Sequence, residues 1–165
     1  MTKIYNTITD QFKDGEILTG YENGGLNQWL LYTNQSALVY YDGKDNFYDE
    51  NATLITKDFI NFGKKHCIEK GKKTVMVSIG CGNSGTEKEC LLNLGEGYDV
   101  SYIGVDTSEE MLKLTEKNFK DTGIQRQLIR ADFSSDFFLK EINNYTKGYN
   151  NVIFVFFGGT FGNIK

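Results

Sequence analysis

VSIGCGNSGTEKE, residues 77–89, is the stretch on which the reading of this chain turns. Gly80, Gly82 and Gly85 stand in the spacing G-x-G-x-x-G, directly after the apolar run TVMVSI and directly before GTEKECLLNL, a segment of helix length. A glycine turn at the carboxyl end of a parallel strand lets the backbone approach a ligand closely, and the helix that follows points its free N–H groups at whatever sits there. A tight strand-to-helix turn also needs glycine for its backbone angles, so the motif has to be read with its surroundings.

Downstream, short apolar runs alternate with helix-length segments. TVMVSI, SYIGVD, QLIRAD and NVIFVFF read as strands covered on both faces. SEEMLKLTEKNFKDTG carries Leu112, Thr115 and Phe119 on one helical face, and SSDFFLKEINNYTKG carries Phe138, Ile142 and Tyr145 on another. Each opens on serine in an N-cap position, and Gly123 follows the last turn of the first. This alternation is the sequence form of an α/β, doubly wound parallel sheet with right-handed crossovers.

Upstream, Ile4, Ile8 and Phe12 are spaced as one face of a short helix ending near Gly15, and Leu26 to Tyr32 is a candidate second helix. Residues 52–70 predict a further helix whose buried stripe is Ile55, Phe59, Phe62 and His66, so the single histidine is read as packing. Residues 1–70 are accordingly expected to be a mostly helical cap. The 165 residues suit one domain, and 39% apolar with 24% charged residues suits a globular one. A net charge of −4 weighs against nucleic acid as a partner. No stretch approaches the roughly 20 apolar residues of a membrane span, and a cytoplasmic location is expected. Cys67, Cys81 and Cys90 lack metal-ligand spacing, so neither a metal nor a disulfide framework is expected. Cys81 lies inside the glycine turn, where its small side chain has only to fit.

Asp106 ends the second strand about 20 residues beyond Gly85, where a carboxylate accepts hydrogen bonds from ribose hydroxyls. That suits both a nicotinamide or flavin dinucleotide and S-adenosylmethionine. The continuation Asp106-Thr107-Ser108-Glu109-Glu110-Met111-Leu112 resembles the D-x-S-x-x-M-L signature of class I S-adenosylmethionine-dependent methyltransferases, and Asp132 in IRADF closes the third strand as an acidic residue does in those enzymes. The resemblance implies a Rossmann-like sheet whose first four strands run in the order 3-2-1-4. It also implies residues 71–165 as the donor-binding half of the domain. Gly80, Cys81, Gly82, Asn83 and Gly85 would hold the donor, with Asp106 and Thr107 on its ribose and Asp132 and Phe133 by its adenine.

FFGGTFGNIK, residues 156–165, is similar to the F-L-G-S-x-I-G-N segment of the histidine-specific methyltransferase family. By that likeness Phe157, Gly158, Gly159 and Thr160 line the cofactor pocket, and Asn163 orients an acceptor amine as the catalytic residue. The acceptor implied is a small amine or amino acid. Two positions depart from the family: Thr86 stands where it has a lysine, and Tyr40, Tyr41 and Tyr48 offer only loose matches to its substrate tyrosine. Without proline the chain has no D-P-P-Y motif, which disfavours nucleic-acid amino groups as acceptors. The full methyltransferase sheet has three more strands than the four found, so the chain is expected to be a truncated domain. Its fourth-strand edge is expected to pair with a second copy or with a missing C-terminal half. A non-catalytic S-adenosylmethionine-binding module and an NAD(P)-dependent oxidoreductase are the alternatives.

Overall fold

Residues 74–79 are all buried, as the unbroken apolar run before the glycine turn requires of a central strand. The computed structural model describes residues 4–6, 47–133 and 136–157. In chain order these form β1 (Ile4–Asn6), α1 (Phe47–His66), β2 (Lys73–Ile79), α2 (Gly85–Leu92), β3 (Asp99–Asp106), α3 (Glu109–Phe119), β4 (Arg126–Arg130), α4 (Asp136–Tyr145) and β5 (Asn151–Val155). The strands pair in parallel in the order β1-β4-β3-β2-β5. The expected 3-2-1-4 order is therefore present as β4-β3-β2-β5.

Side-chain alternation sorts the core into two layers. Met76, Tyr102 and Leu128 face α1, α2 and α3, packing with Cys90, Leu91, Leu112, Phe119 and, from α1, Phe59 and Ile60. Val75, Val77, Ile79, Ile103, Val105 and Ile129 face α4, packing with Phe138 and Ile142. The chain thus lays its first crossovers on one face and returns over the other between β4 and β5. The strand order reverses at β2, the place where open α/β sheets leave a crevice beyond their carboxyl ends.

Two expectations for the N-terminal region are corrected. Ile4–Asn6 is a strand, not the start of a helix, and runs beside Leu128–Arg130. An isolated helix that short is marginal in water, whereas the free edge of β4 offers Ile4–Asn6 a ladder of backbone partners. The rest of that segment and Leu26–Tyr32 lie outside the described residues. In α1, Phe62 is 62% exposed and His66 is exposed, their rings 4.7 Å apart on the surface. The inward face is Phe59, Ile60 and Gly63. Ile68 folds back to enter the core, and a Cβ on Gly63 would lie 2.7 Å from its Cδ1. The N–H groups of Cys67 and Ile68 both donate to the Gly63 carbonyl, which turns the helix toward that glycine.

At the centre of β3, Gly104 makes room for the glycine turn. A Cβ there would lie 3.0 Å from Leu128 Cδ2, 3.0 Å from Tyr102 Cε1 and 3.1 Å from Cys81 Sγ. Gly104→Ala is expected to cost about 1–3 kcal/mol of stability through overpacking, read as a lower urea midpoint with unchanged slope.

Candidate functional site

The turn after β2 is built from left-handed backbone. Gly80 has φ 65°, Gly82 φ 54° and, unexpectedly, Ser84 φ 55°. Gly85 is the first residue of α2 and does not share that conformation. The Cys81 N–H donates to the Val105 carbonyl at 3.0 Å, tying the turn to the next strand. The Cys81 side chain is buried, and burial followed by the nearby Asp106 carboxylate pushes its thiol pKa up. It fills space, as expected, and is no nucleophile. At Gly82 a Cβ would meet nothing within 4 Å, so the turn is open on the side where a ligand backbone or sugar would approach.

Asp106 ends β3 beside this turn. Gly82 N–H donates to its Oδ2 at 2.9 Å and Ser108 N–H to its Oδ1 at 2.9 Å. Burial raises the carboxyl pKa, and the N–H groups of Ser108, Gly82 and Thr107 oppose that rise. A carboxylate has about four acceptor sites, so the group retains capacity for a further donor. Ser108, meanwhile, caps α3 by accepting from Met111 N–H at 3.3 Å, which leaves Asp106 the link between the two strand ends. Thr107 follows, its carbonyl accepting from Arg130 Nε at 3.0 Å.

Beyond β4, Ala131 N–H donates to the Asp106 carbonyl at 3.1 Å, which sets Asp132 and Phe133 beside Asp106 and Thr107. Asp132 is exposed, and the half-buried Phe133 ring meets Phe156 edge-on at 6.5 Å. Gly80 to Gly85, Asp106 with Thr107, and Asp132 with Phe133 therefore lie side by side at the carboxyl ends of β2, β3 and β4. Phe157 lies past β5 with its ring edge-on to Phe59 of α1 at 5.9 Å. Gly158, Gly159, Thr160 and Asn163 lie outside the described residues.

The sequence reading missed the layer beneath the turn. Thr115 Oγ1 donates to the Gly82 carbonyl at 2.8 Å, and Asn118 Nδ2 donates to the Asn83 carbonyl at 2.7 Å. Glu87, in the first turn of α2, is 3% exposed and accepts from Ser78 Oγ. The one available signal was Thr115, a hydroxyl in the otherwise apolar stripe Leu112, Thr115, Phe119. Among the described residues no group of His, Cys, Asp and Glu could hold a metal, and no helix is long and apolar enough to cross a membrane.

Residues 48–165 match the family of histidine-specific, S-adenosylmethionine-dependent methyltransferases, and the chain belongs to that family. It is thus a member of a family of enzymes whose methyl donor is S-adenosylmethionine. No curated protein matches the sequence. Among solved structures it is similar to the cyclopropane synthase MmaA2 from Mycobacterium tuberculosis at 19% identity and a TM-score of 0.39, over 61% of this chain and 30% of that one. The chain thus spans under a third of that protein's length.

The thiols give a direct check on the turn. Cys90 has its pKa pushed up to about 11, chiefly by burial, and Cys67 is half-buried at the end of α1. Iodoacetamide on the folded protein is expected to label Cys67 well ahead of Cys81 and Cys90 in peptide mass spectra. Cys81 labelling as fast as Cys67 would mean that the turn is open in solution.

Proposed function

We propose that this chain binds S-adenosylmethionine across the ends of β2, β3 and β4 and transfers its methyl group to a small amine, an amino acid being the favoured class. The observation that carries the donor site is the Asp106 carboxylate, which takes N–H groups from Gly82 in the glycine turn and from Ser108 before α3 while keeping acceptor capacity for a ribose hydroxyl. In this reading Gly80, Cys81, Gly82, Asn83 and Gly85 hold the methionine and sugar side of the donor. Asp106 and Thr107 take the ribose, and Asp132 and Phe133 take the adenine. Phe157, Gly158, Gly159 and Thr160 complete the cofactor pocket, and Asn163 belongs to the acceptor side.

The chemistry asks little of acid or base. The amine lone pair forms a bond to the methyl carbon as the carbon–sulfur bond breaks. Its electrons remain on sulfur, and the ammonium product gives its proton to solvent. Rate comes from holding nitrogen, carbon and sulfur in line. An asparagine carbonyl at Asn163 would orient the amine without competing for its lone pair.

Gly85 argues against the dinucleotide alternative. In that fingerprint the third glycine lets the helix pack closely on the strand. Here a Cβ on Gly85 would meet only the Asn83 side chain, at 3.6 Å, an ordinary contact. The proposal extends to assembly. β5 is one of the two edges of the described sheet, and Val152 and Phe154 on it and Phe156 just past it stand exposed. A second copy pairing along β5 would cover that edge.

S-adenosylhomocysteine at 100 times its Kd is expected to stabilise the protein by about 2.7 kcal/mol in a thermal-shift titration, with no effect from NAD or NADP. The reverse pattern would overturn the donor assignment. Asp106→Ala is expected to weaken binding by about 1.5–3 kcal/mol, or roughly ten- to a hundredfold in calorimetric Kd. The ionised carboxylate is the better acceptor, and its pKa lies above the usual 3.8. Donor affinity should therefore fall as pH is lowered, beginning at a higher pH than an ordinary aspartate would give. Free amino acids incubated with the donor should gain about 14 daltons per methyl group transferred; methylation confined to protein or RNA would overturn the acceptor class. Light scattering showing only monomers would remove the β5 pairing.

A further inference from the structure

Three hydroxyls lie beneath the glycine turn with no exposure at all: Ser84 in the turn itself, Tyr102 on β3 and Thr115 on α3. Buried hydroxyls are tolerated when each finds a partner, so their order is informative. Tyr102 Oη lies 2.7 Å from Ser84 Oγ, Ser84 Oγ lies 2.9 Å from Thr115 Oγ1, and Thr115 Oγ1 lies 2.8 Å from the Gly82 carbonyl oxygen. A carbonyl can only accept, so Thr115 uses its one proton on Gly82. Ser84 then donates to Thr115, and Tyr102 donates to Ser84. The Cys81 carbonyl, 3.4 Å from Ser84 Oγ, is the longer alternative. The chain of donors runs one way, from the core to the turn.

It ends on a residue held from both sides. The Gly82 carbonyl takes the Thr115 proton while the Gly82 N–H donates to Asp106 Oδ2 at 2.9 Å. The remaining side of Gly82, where a Cβ would meet nothing, is free for a ligand. We propose that the Tyr102–Ser84–Thr115 relay positions the donor site: it fixes the Gly82–Asn83 peptide through its carbonyl and so restricts, across the Gly82 Cα, the Cys81–Gly82 peptide whose N–H holds the Asp106 carboxylate. Thr115 and Ser84 are then positioning residues for the methyl donor although they touch no ligand. This rests on the reading that the turn and Asp106 bind S-adenosylmethionine.

Thr115→Val keeps the side chain's shape and removes its proton. The Kd for S-adenosylhomocysteine, measured by calorimetry, is expected to rise about tenfold, the worth of one buried hydrogen bond. Thr115→Ser should restore it. Tyr102→Phe, which keeps the ring stacked on Phe119 at 4.7 Å, should raise the Kd in the same direction by less. Leu112→Val, on the same buried face of α3, should lower the melting temperature without moving the Kd, which separates positioning from stability. If Thr115→Val does not fold, the Tyr102→Phe and Thr115→Ser proteins decide the matter. Wild-type binding with Asp106→Ala impaired but the relay variants unaffected overturns the relay alone. Wild-type protein that does not bind S-adenosylhomocysteine overturns the donor reading and the relay's role with it.

Discussion

The register between β2 and β3 is the constraint on which the site depends. Lys73 pairs with Asp99 and the match runs without a break to Ile79 with Val105. It delivers the glycine turn and Asp106 to the same end of the sheet, close enough for the 2.9 Å bond from Gly82 N–H to the carboxylate. A slip of one residue would turn the side chains of β3 to the opposite face and carry Asp106 away from the turn. The register is held because both faces of these strands are packed, Met76 and Tyr102 in one layer and Val77 and Ile103 in the other, and a slip would break both layers at once.

Holding the turn in place has a local cost. Ser84 adopts a left-handed conformation that disfavours any residue with a Cβ, by about 1–2 kcal/mol. Glycine there would remove that cost, but it would also remove the hydroxyl that joins Tyr102 to Thr115. The helix after it receives no capping bond from the Ser84 side chain, because that oxygen is turned into the core. Strain and a forgone cap are both accepted for a defined turn, a pattern common where backbone geometry serves binding.

Legibility in the sequence followed the strength of the local pattern. β2, β3 and β4 are apolar runs whose central residues are buried as the strand reading required, whereas β5, read in the same way, is buried only at Val155 and leaves Val152 and Phe154 exposed; α3 carries both a periodic face and a Ser108 cap. Asp106 was legible because its distance from the glycine turn is a property of one strand-helix-strand unit. What stayed hidden depends on tertiary context. β1 exists because β4 has an edge to offer, and Ile4–Asn6 by itself is too short to declare its type. The stripe of α1 was misplaced because Gly63, which carries no hydrophobic signal, is the point where Ile68 docks. The left-handed backbone at Ser84 carries no signal in the sequence, and only the residue's neighbours explain it.

Glu87 completes the electrostatic picture of the turn. A helix N-terminus carries a partial positive charge, and in dinucleotide folds that charge faces the pyrophosphate. Here the first turn of α2 holds an acidic side chain at 3% exposure, accepting from Ser78 Oγ. A pyrophosphate would bring two further negative charges to that end of the helix. S-adenosylmethionine sets a sulfonium and an ammonium against one carboxylate, a net positive charge, and loses nothing by the presence of Glu87. An acidic side chain buried in the first turn of α2 thus sets this turn apart from a pyrophosphate-binding one, and the glycine spacing alone does not contain it.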